Sequence, residues 1–372
     1  MLSFIGQWRR VSLIKTLIVS LSSVILITSS SAVSVQDSGD SPITQKETKT
    51  SSDQKRRNAF LADPTIFYDQ GRYYLYGTGN LRAFTGNPQE GFITYYSEDL
   101  KEWFGPAGAE EGFVFCKGDG FGKGLFWAPQ VFRWKDHYWF AYAADEYIAL
   151  ARADDPRGPF TMDPPQKLPS ATRQIDPFFF FDEGKIYFYY VKLDKGNRIF
   201  VAEMKDDLSG IKPETEHFCI HAGDEGSLWE NTNNADWSVA EGPTVIRRGD
   251  KYYLFYSCND FRSKDYAVGY AVSDSPLGPW KRYEGNPIIS RHNVGHHGSG
   301  HGDIFTTPEG KMYYVLHTHF SKEKVQIRRT ALVEMRAEEK EGGETVFSIL
   351  PETFRFIEVP AEKTAPAENL GK

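Results

Sequence analysis

DPTIFYDQGRYYLYG (residues 63–77) has the composition of a β-hairpin. An apolar run, a turn around Gly71 and a second run rich in Tyr suit paired strands, and glycine is the residue that takes positive φ in such turns at little cost. The same phrase returns four times, as APQVFRWKDHYWFAY (128–142), DPFFFFDEGKIYFYY (176–190), GPTVIRRGDKYYLFY (242–256) and GDIFTTPEGKMYYVL (302–316). Aligned on Pro64, Pro129, Pro177, Pro243 and Asp303, every second strand begins nine residues on, at Tyr73, Tyr138, Ile186, Tyr252 and Met312. Successive copies lie 65, 48, 66 and 60 residues apart, which leaves room for two further strands each, such as those in 92–104 and 266–280. The repeat predicts an all-β fold, a five-bladed β-propeller with four-stranded antiparallel blades. The WD dipeptide of a generic interaction propeller is absent.

Working outward, the 372 residues include 27 Phe, 20 Tyr, 8 Trp, 33 Gly and 20 Pro, a mixture that favours strands and tight turns over helical bundles. A net charge of −7 with no basic block excludes a phosphate-backbone footprint, so a neutral polar ligand is expected rather than nucleic acid. At the N-terminus, Arg9, Arg10 and Lys15 precede an apolar run (16–27) and the small residues Ser30, Ser31 and Ala32, the order of a secretory signal peptide. Residues 1–32 are therefore assigned to a cleaved export signal, to the periplasm or outside the cell, with no stable membrane insertion afterwards; the run is short for a membrane anchor. The Arg pair matches a twin-arginine signal only in part. Residues 33–57 read as a flexible polar linker, 58–360 as the propeller domain and 361–372 as a disordered tail. Three cysteines (Cys116, Cys219, Cys258) are too few for a disulfide framework, although one bridge is open to them. Oligomeric state is not legible.

Inner strands of a propeller line one channel and run the same way, so equivalent residues form a ring. The residues opening the five hairpins are Ala62-Asp63, Trp127-Ala128, Ile175-Asp176, Glu241-Gly242 and His301-Gly302. Any one Asp before Pro can simply cap a turn. Three carboxylates drawn to one opening raise one another's pKa and cost stability unless they serve chemistry. Two carboxyl groups across a sugar are the equipment of glycoside hydrolysis, one protonating the leaving oxygen and one activating water or attacking carbon. Trp127 suits stacking on a sugar's C–H face, while Phe126 and the run 178–181 read as blade packing.

The ordered set Asp63-Pro64, Trp127-Ala128-Pro129, Ile175-Asp176-Pro177, Glu241-Gly242-Pro243 and Gly300-His301-Gly302 resembles glycoside hydrolase family 43, over roughly residues 58–334. The resemblance implies a five-bladed propeller that acts on arabinose- and xylose-containing polysaccharides with inversion. It implies Asp63 as general base, Glu241 as general acid and Asp176 as the acid that orients Glu241 and raises its pKa. His301 is similar to the family's channel histidine, near a water or a central calcium; no cofactor is required, and a lone imidazole would hold such a cation only through water. Arg328, within Arg328-Arg329-Thr330-Ala331-Leu332, is similar to an arginine that reaches the sugar in family xylosidases. The four histidines of 292–302 resemble a transition-metal cluster, but a Gly-rich loop and the repeat account for them without zinc.

Two alternatives stand beside this. A retaining, fructosidase-like propeller would use a similar acid trio, though Arg173-Gln174-Ile175-Asp176 matches those families loosely and their Asn-Asp-Pro-Asn opening is missing at Asp63. A non-catalytic carbohydrate-binding propeller would keep the ring without turnover. The insertions 81–91 and 219–238 are expected to wall the pocket, with Phe84, Trp229 or Trp237 at subsites. Arabinofuranosides are the expected substrates, ahead of xylosides and galactosides.

Overall fold

All five hairpins form. The computed structural model describes residues 55–79, 90–223 and 227–361. The inner strands of blades I to V are Leu61–Asp69, Trp127–Trp134, Gln174–Asp182, Ala240–Arg248 and Gly300–Thr306. Each pairs antiparallel with its hairpin partner, Arg72–Gly79, His137–Ala144, Lys185–Leu193, Lys251–Cys258 and Met312–Thr318. The third strands are Tyr95–Ser97, Tyr147–Ala153, Asn197–Glu203, Ala267–Ser273 and Arg329–Glu339. His217–His221, Lys281–Arg282 and Thr345–Ile349 complete blades III to V. In blades I and II the outermost place is held by isolated bridges, Tyr96 to Phe104 and Arg152 to Thr161. The segment leading to Thr161 contains Pro156 and Pro159, which cannot donate to a ladder.

Five apolar clusters account for the ring. Tyr76 and Phe140 meet between blades I and II, Phe132 and Phe188 between II and III, and Val191 and Leu254 between III and IV. Phe255 and Leu316 meet between IV and V, and Leu75 and Val315 join V back to I. Every blade therefore buries both faces, which explains why the second strands are nearly continuous runs of Tyr, Phe and aliphatic residues instead of alternating ones. At about 1.5–3 kcal/mol per large side chain, each such interface outweighs any single surface interaction. The ring is also stapled where the domain's ends meet: Arg56–Asn58 pairs with Glu358–Pro360, and Thr330 Oγ1 both donates to the Leu61 carbonyl and accepts its N–H.

One irregularity is repeated in every inner strand. The pairing register slips by one residue after Ala62, Trp127, Ile175, Glu241 and Gly300, which makes a β-bulge at the same level of each blade. The first bulged residue is left-handed each time: Asp63 (φ 47°), Ala128 (44°), Asp176 (55°), Gly242 (60°) and His301 (41°). Proline follows in four blades, at the one place in a strand where its missing N–H is tolerated. The alignment read from the sequence is off by one residue in blade V. Thr306 pairs with Met312 there, whereas Tyr68 pairs with Tyr73 in blade I, so the fifth turn is one residue longer. His301, not Gly302, consequently takes the place of Asp63 and Asp176.

Candidate active site

The bulges aim their side chains at a cavity of about 510 Å³ lined by Asp63, Trp127, Asp176, Trp237, Glu241, His301 and Arg328, among others. Left-handed backbone at a non-glycine residue costs on the order of 1 kcal/mol or more, and here it recurs where three titratable side chains are presented. Gly242 needs its glycine for a second reason: a Cβ would lie 2.7 Å from the His301 ring. The three acids expected from the sequence thus face one opening.

Their surroundings differ sharply. Asp63 is buried, which alone would raise its carboxyl, but the Arg328 guanidinium beside it outweighs burial and holds it well below the ordinary range. Arg328 Nη1 donates to Asp63 Oδ1 at 3.0 Å, and His301 Nδ1 and His317 Nδ1 stand 3.4 and 3.3 Å from the same oxygen. Among the described residues no cation contacts Glu241. Burial pushes it up, the Asp63 charge adds to this, and donation from Tyr266 and Asn197 opposes it, leaving the carboxyl at about 7. The Tyr266 hydroxyl donates to Oε1 at 2.8 Å and Asn197 Nδ2 to Oε2 at 2.7 Å. Asp176 is pushed up by burial, then by Glu241 and Asp63, against one N–H from Gly242 at 3.1 Å. At neutral pH this trio holds one ionised carboxylate beside two acids biased toward retaining protons.

Sequence reasoning missed the supporting residues. His317 is fully buried and its pKa is pushed down to about 3 by burial and then by Arg328, so it stays neutral. A recurring contact exposes it: in three of the five blades the second-strand residue opposite the bulge accepts the N–H of the next blade's bulged residue. Thr78 Oγ1 does so for Ala128, Ser257 Oγ for His301 and His317 Nδ1 for Asp63. Polar residues near the ends of otherwise apolar second strands were the available signal. The pairs Glu146–Arg173 and Asp260–Arg262 also border the cavity.

The remaining expected residues divide. Trp127 and Trp237 line the cavity, whereas Trp229 packs against Tyr256 and Gly269 inside blade IV. Phe84 and the apolar run 16–27 lie outside the described residues. Arg328 lines the cavity, spends its charge on Asp63 and lies 4.5 Å over the Phe261 ring. The histidines of 292–302 do not converge: His296 stacks on Phe354, His297 faces the Lys322 carbonyl, and only His301 joins the acids. Cys219 and Cys258 are buried and are not bridged to one another. Below the bulges the channel narrows to a void of about 30 Å³ beside Asp303, whose two oxygens already accept from Thr65 and Thr244 at 2.6 Å. That is room for about one water, and nothing among the described residues confirms the calcium expected in the channel. No described helix is long and apolar enough to cross a membrane.

The family model for Glycosyl hydrolases family 43 matches residues 57–341. The chain belongs to that family. Family 43 relatives cover this chain in both sequence and structure. A solved structure described as endo-1,4-beta-xylanase from Bacteroides thetaiotaomicron superposes with a TM-score of 0.73 at 35% identity, over 82% of this chain and 99% of that one. The extracellular exo-alpha-(1->5)-L-arabinofuranosidase ArbA of Cellvibrio japonicus is 24% identical over 69% of this chain and 78% of its own. The beta-D-galactofuranosidase xynD of Aspergillus niger is 25% identical over 53% of each, so the chain spans about half of that relative.

Proposed function

We propose that this family 43 protein is an exported, inverting glycosidase acting on arabinofuranosyl or related xylosyl linkages of plant-type polysaccharides. The observation that carries the reading is the opposite ionisation of Asp63 and Glu241 in one cavity. Ionised Asp63 takes a proton from water as the water oxygen bonds to the anomeric carbon. The bond to the departing oxygen breaks, and that oxygen takes the proton of Glu241. Burial keeps Glu241 protonated, with the Asp63 charge adding to it, Arg328 keeps Asp63 ionised, and Asp176, itself pushed up, takes the role of orienting Glu241. Trp127 and Trp237 offer flat faces for sugar rings.

The substrates in the names of these relatives, arabinofuranoside, galactofuranoside and xylan, support a pentose or furanose substrate without choosing between them. Hydrolysis of aryl arabinofuranoside, xyloside and galactofuranoside, compared side by side, tests the choice. Proton NMR of the first-formed anomer tests inversion. Binding of polysaccharide with no reducing sugar released by wild type would favour the carbohydrate-binding propeller instead. Secretion of the full chain, with loss of residues 1–32, tests export.

A further inference from the structure

We propose that Trp237 is a positioning residue for the acid, acting through Asn197, so that the pocket wall and the proton on Glu241 are coupled; this rests on Glu241 being the acid. Trp237 Nε1 donates to Asn197 Oδ1 at 2.9 Å, and Asn197 Nδ2 donates to Glu241 Oε2 at 2.7 Å. An indole N–H can only donate, so the Asn197 oxygen must face it and the NH₂ must face Glu241. Without Trp237 the amide is free to turn over. The lock also distinguishes the two oxygens of Glu241: Oε2 meets a group that cannot accept, which directs the acid's proton to Oε1, where the Tyr266 hydroxyl can rotate to suit.

The wall that carries Trp237 is built to hold this register. Asn197 N donates to the Ser238 carbonyl at 2.9 Å, Ser238 Oγ lies 2.9 Å from His221 Nε2, and a Cβ on Gly196 would come within 2.8 Å of that same carbonyl. Trp237 is nonetheless 47% exposed, so its ring face is open to a ligand in the cavity. The other titratable groups facing Glu241 are Asp63, Asp176, Asp260, Tyr266 and Cys258; among the described residues none of these hydrogen-bonds to Trp237 or Asn197.

Indole ¹H–¹⁵N resonances of the labelled full chain test the coupling without substrate. The Trp237 signal, identified by its loss in Trp237→Phe, should titrate with a midpoint near the Glu241 value of about 7 and become flat in Glu241→Gln. A Trp237 signal that is flat from pH 5 to 9 in wild type, or that titrates unchanged in Glu241→Gln, overturns the proposal whatever the fate of the acid assignment. In kinetics, Trp237→Phe keeps the ring and should move the alkaline limb of kcat/KM upward by roughly half a pH unit, because one stabilising donor to the carboxylate is loosened. Asn197→Asp, which faces Glu241 with a charge, should move it further. Equal losses at every pH would mark Trp237 as merely structural and sink the idea. Should Glu241→Gln show no selectivity for leaving groups, the acid role fails instead, which the resonance experiment keeps separate.

Discussion

Asp63 and Glu241 are carboxylates of the same propeller ring, one residue apart in bulge position, and their corners of the pocket do opposite things. Around Asp63 the chain gathers Arg328, His301 and His317; around Glu241 it gathers Tyr266, Asn197 and burial. The repeat decides where an acid points. The non-repeating neighbours decide whether it carries a proton, and so which half of the reaction it can perform.

The strongest way to break the comparison is to remove the ionised corner. Asp63→Asn should lower kcat/KM by about 10³-fold or more on every glycoside, because of the three acids at the bulges only Asp63 is held ionised. Glu241→Gln should be selective, costing roughly 10²–10³-fold on linked oligosaccharides and little on nitrophenyl glycosides, whose leaving groups need no acid. Equal losses on both would erase the distinction between the corners. Arg328→Met sharpens it further. Without the guanidinium, burial raises Asp63, and the acid limb of the kcat/KM profile should move upward by about one pH unit or more; an unmoved limb would assign that titration elsewhere.

The smallest expected effect is on stability. Glu241 is raised from 4.5 to about 7 in the folded state, so between those values the native protein holds a proton that the unfolded chain has released. Stability from this group is complete below pH 4.5 and declines as pH rises through 7, on the order of 3 kcal/mol in total. Asp63 has the opposite sign, adding stability that is lost only as pH falls through its lowered value. Glu241→Gln should therefore melt a few degrees above wild type at pH 8 and close to it at pH 5, as thermal scans at the two pH values would show.

The placement of the three acids was legible because the hairpin phrase repeats and the bulge comes with it: Asp63-Pro64 and Asp176-Pro177 are the same local structure. The ionisation was not legible. His317, Tyr266 and Asn197 sit on second and third strands or their edges, read as ordinary strand residues, and reach the acids only after blades fold against one another. Blade V was misaligned by one residue because its turn, Thr307 to Lys311, has one residue more than the others, and residue counting cannot detect a bulge and a longer turn together. Trp229 and Trp237 are indistinguishable in the sequence; one packs on Tyr256 and the other reaches the cavity because only Trp237 adjoins the segment bridged to Asn197.

The most direct test of the two-corner account is the pH profile of kcat/KM on a linked oligosaccharide, whose leaving group needs the acid, for wild type and Glu241→Gln. The account predicts a wild-type profile with an acid limb well below pH 4 and an alkaline limb near the Glu241 value of about 7, and a variant that keeps the first and lacks the second. An alkaline limb that survives in Glu241→Gln, or an acid limb that disappears with it, would contradict the assignment of the proton to Glu241 and of the charge to Asp63.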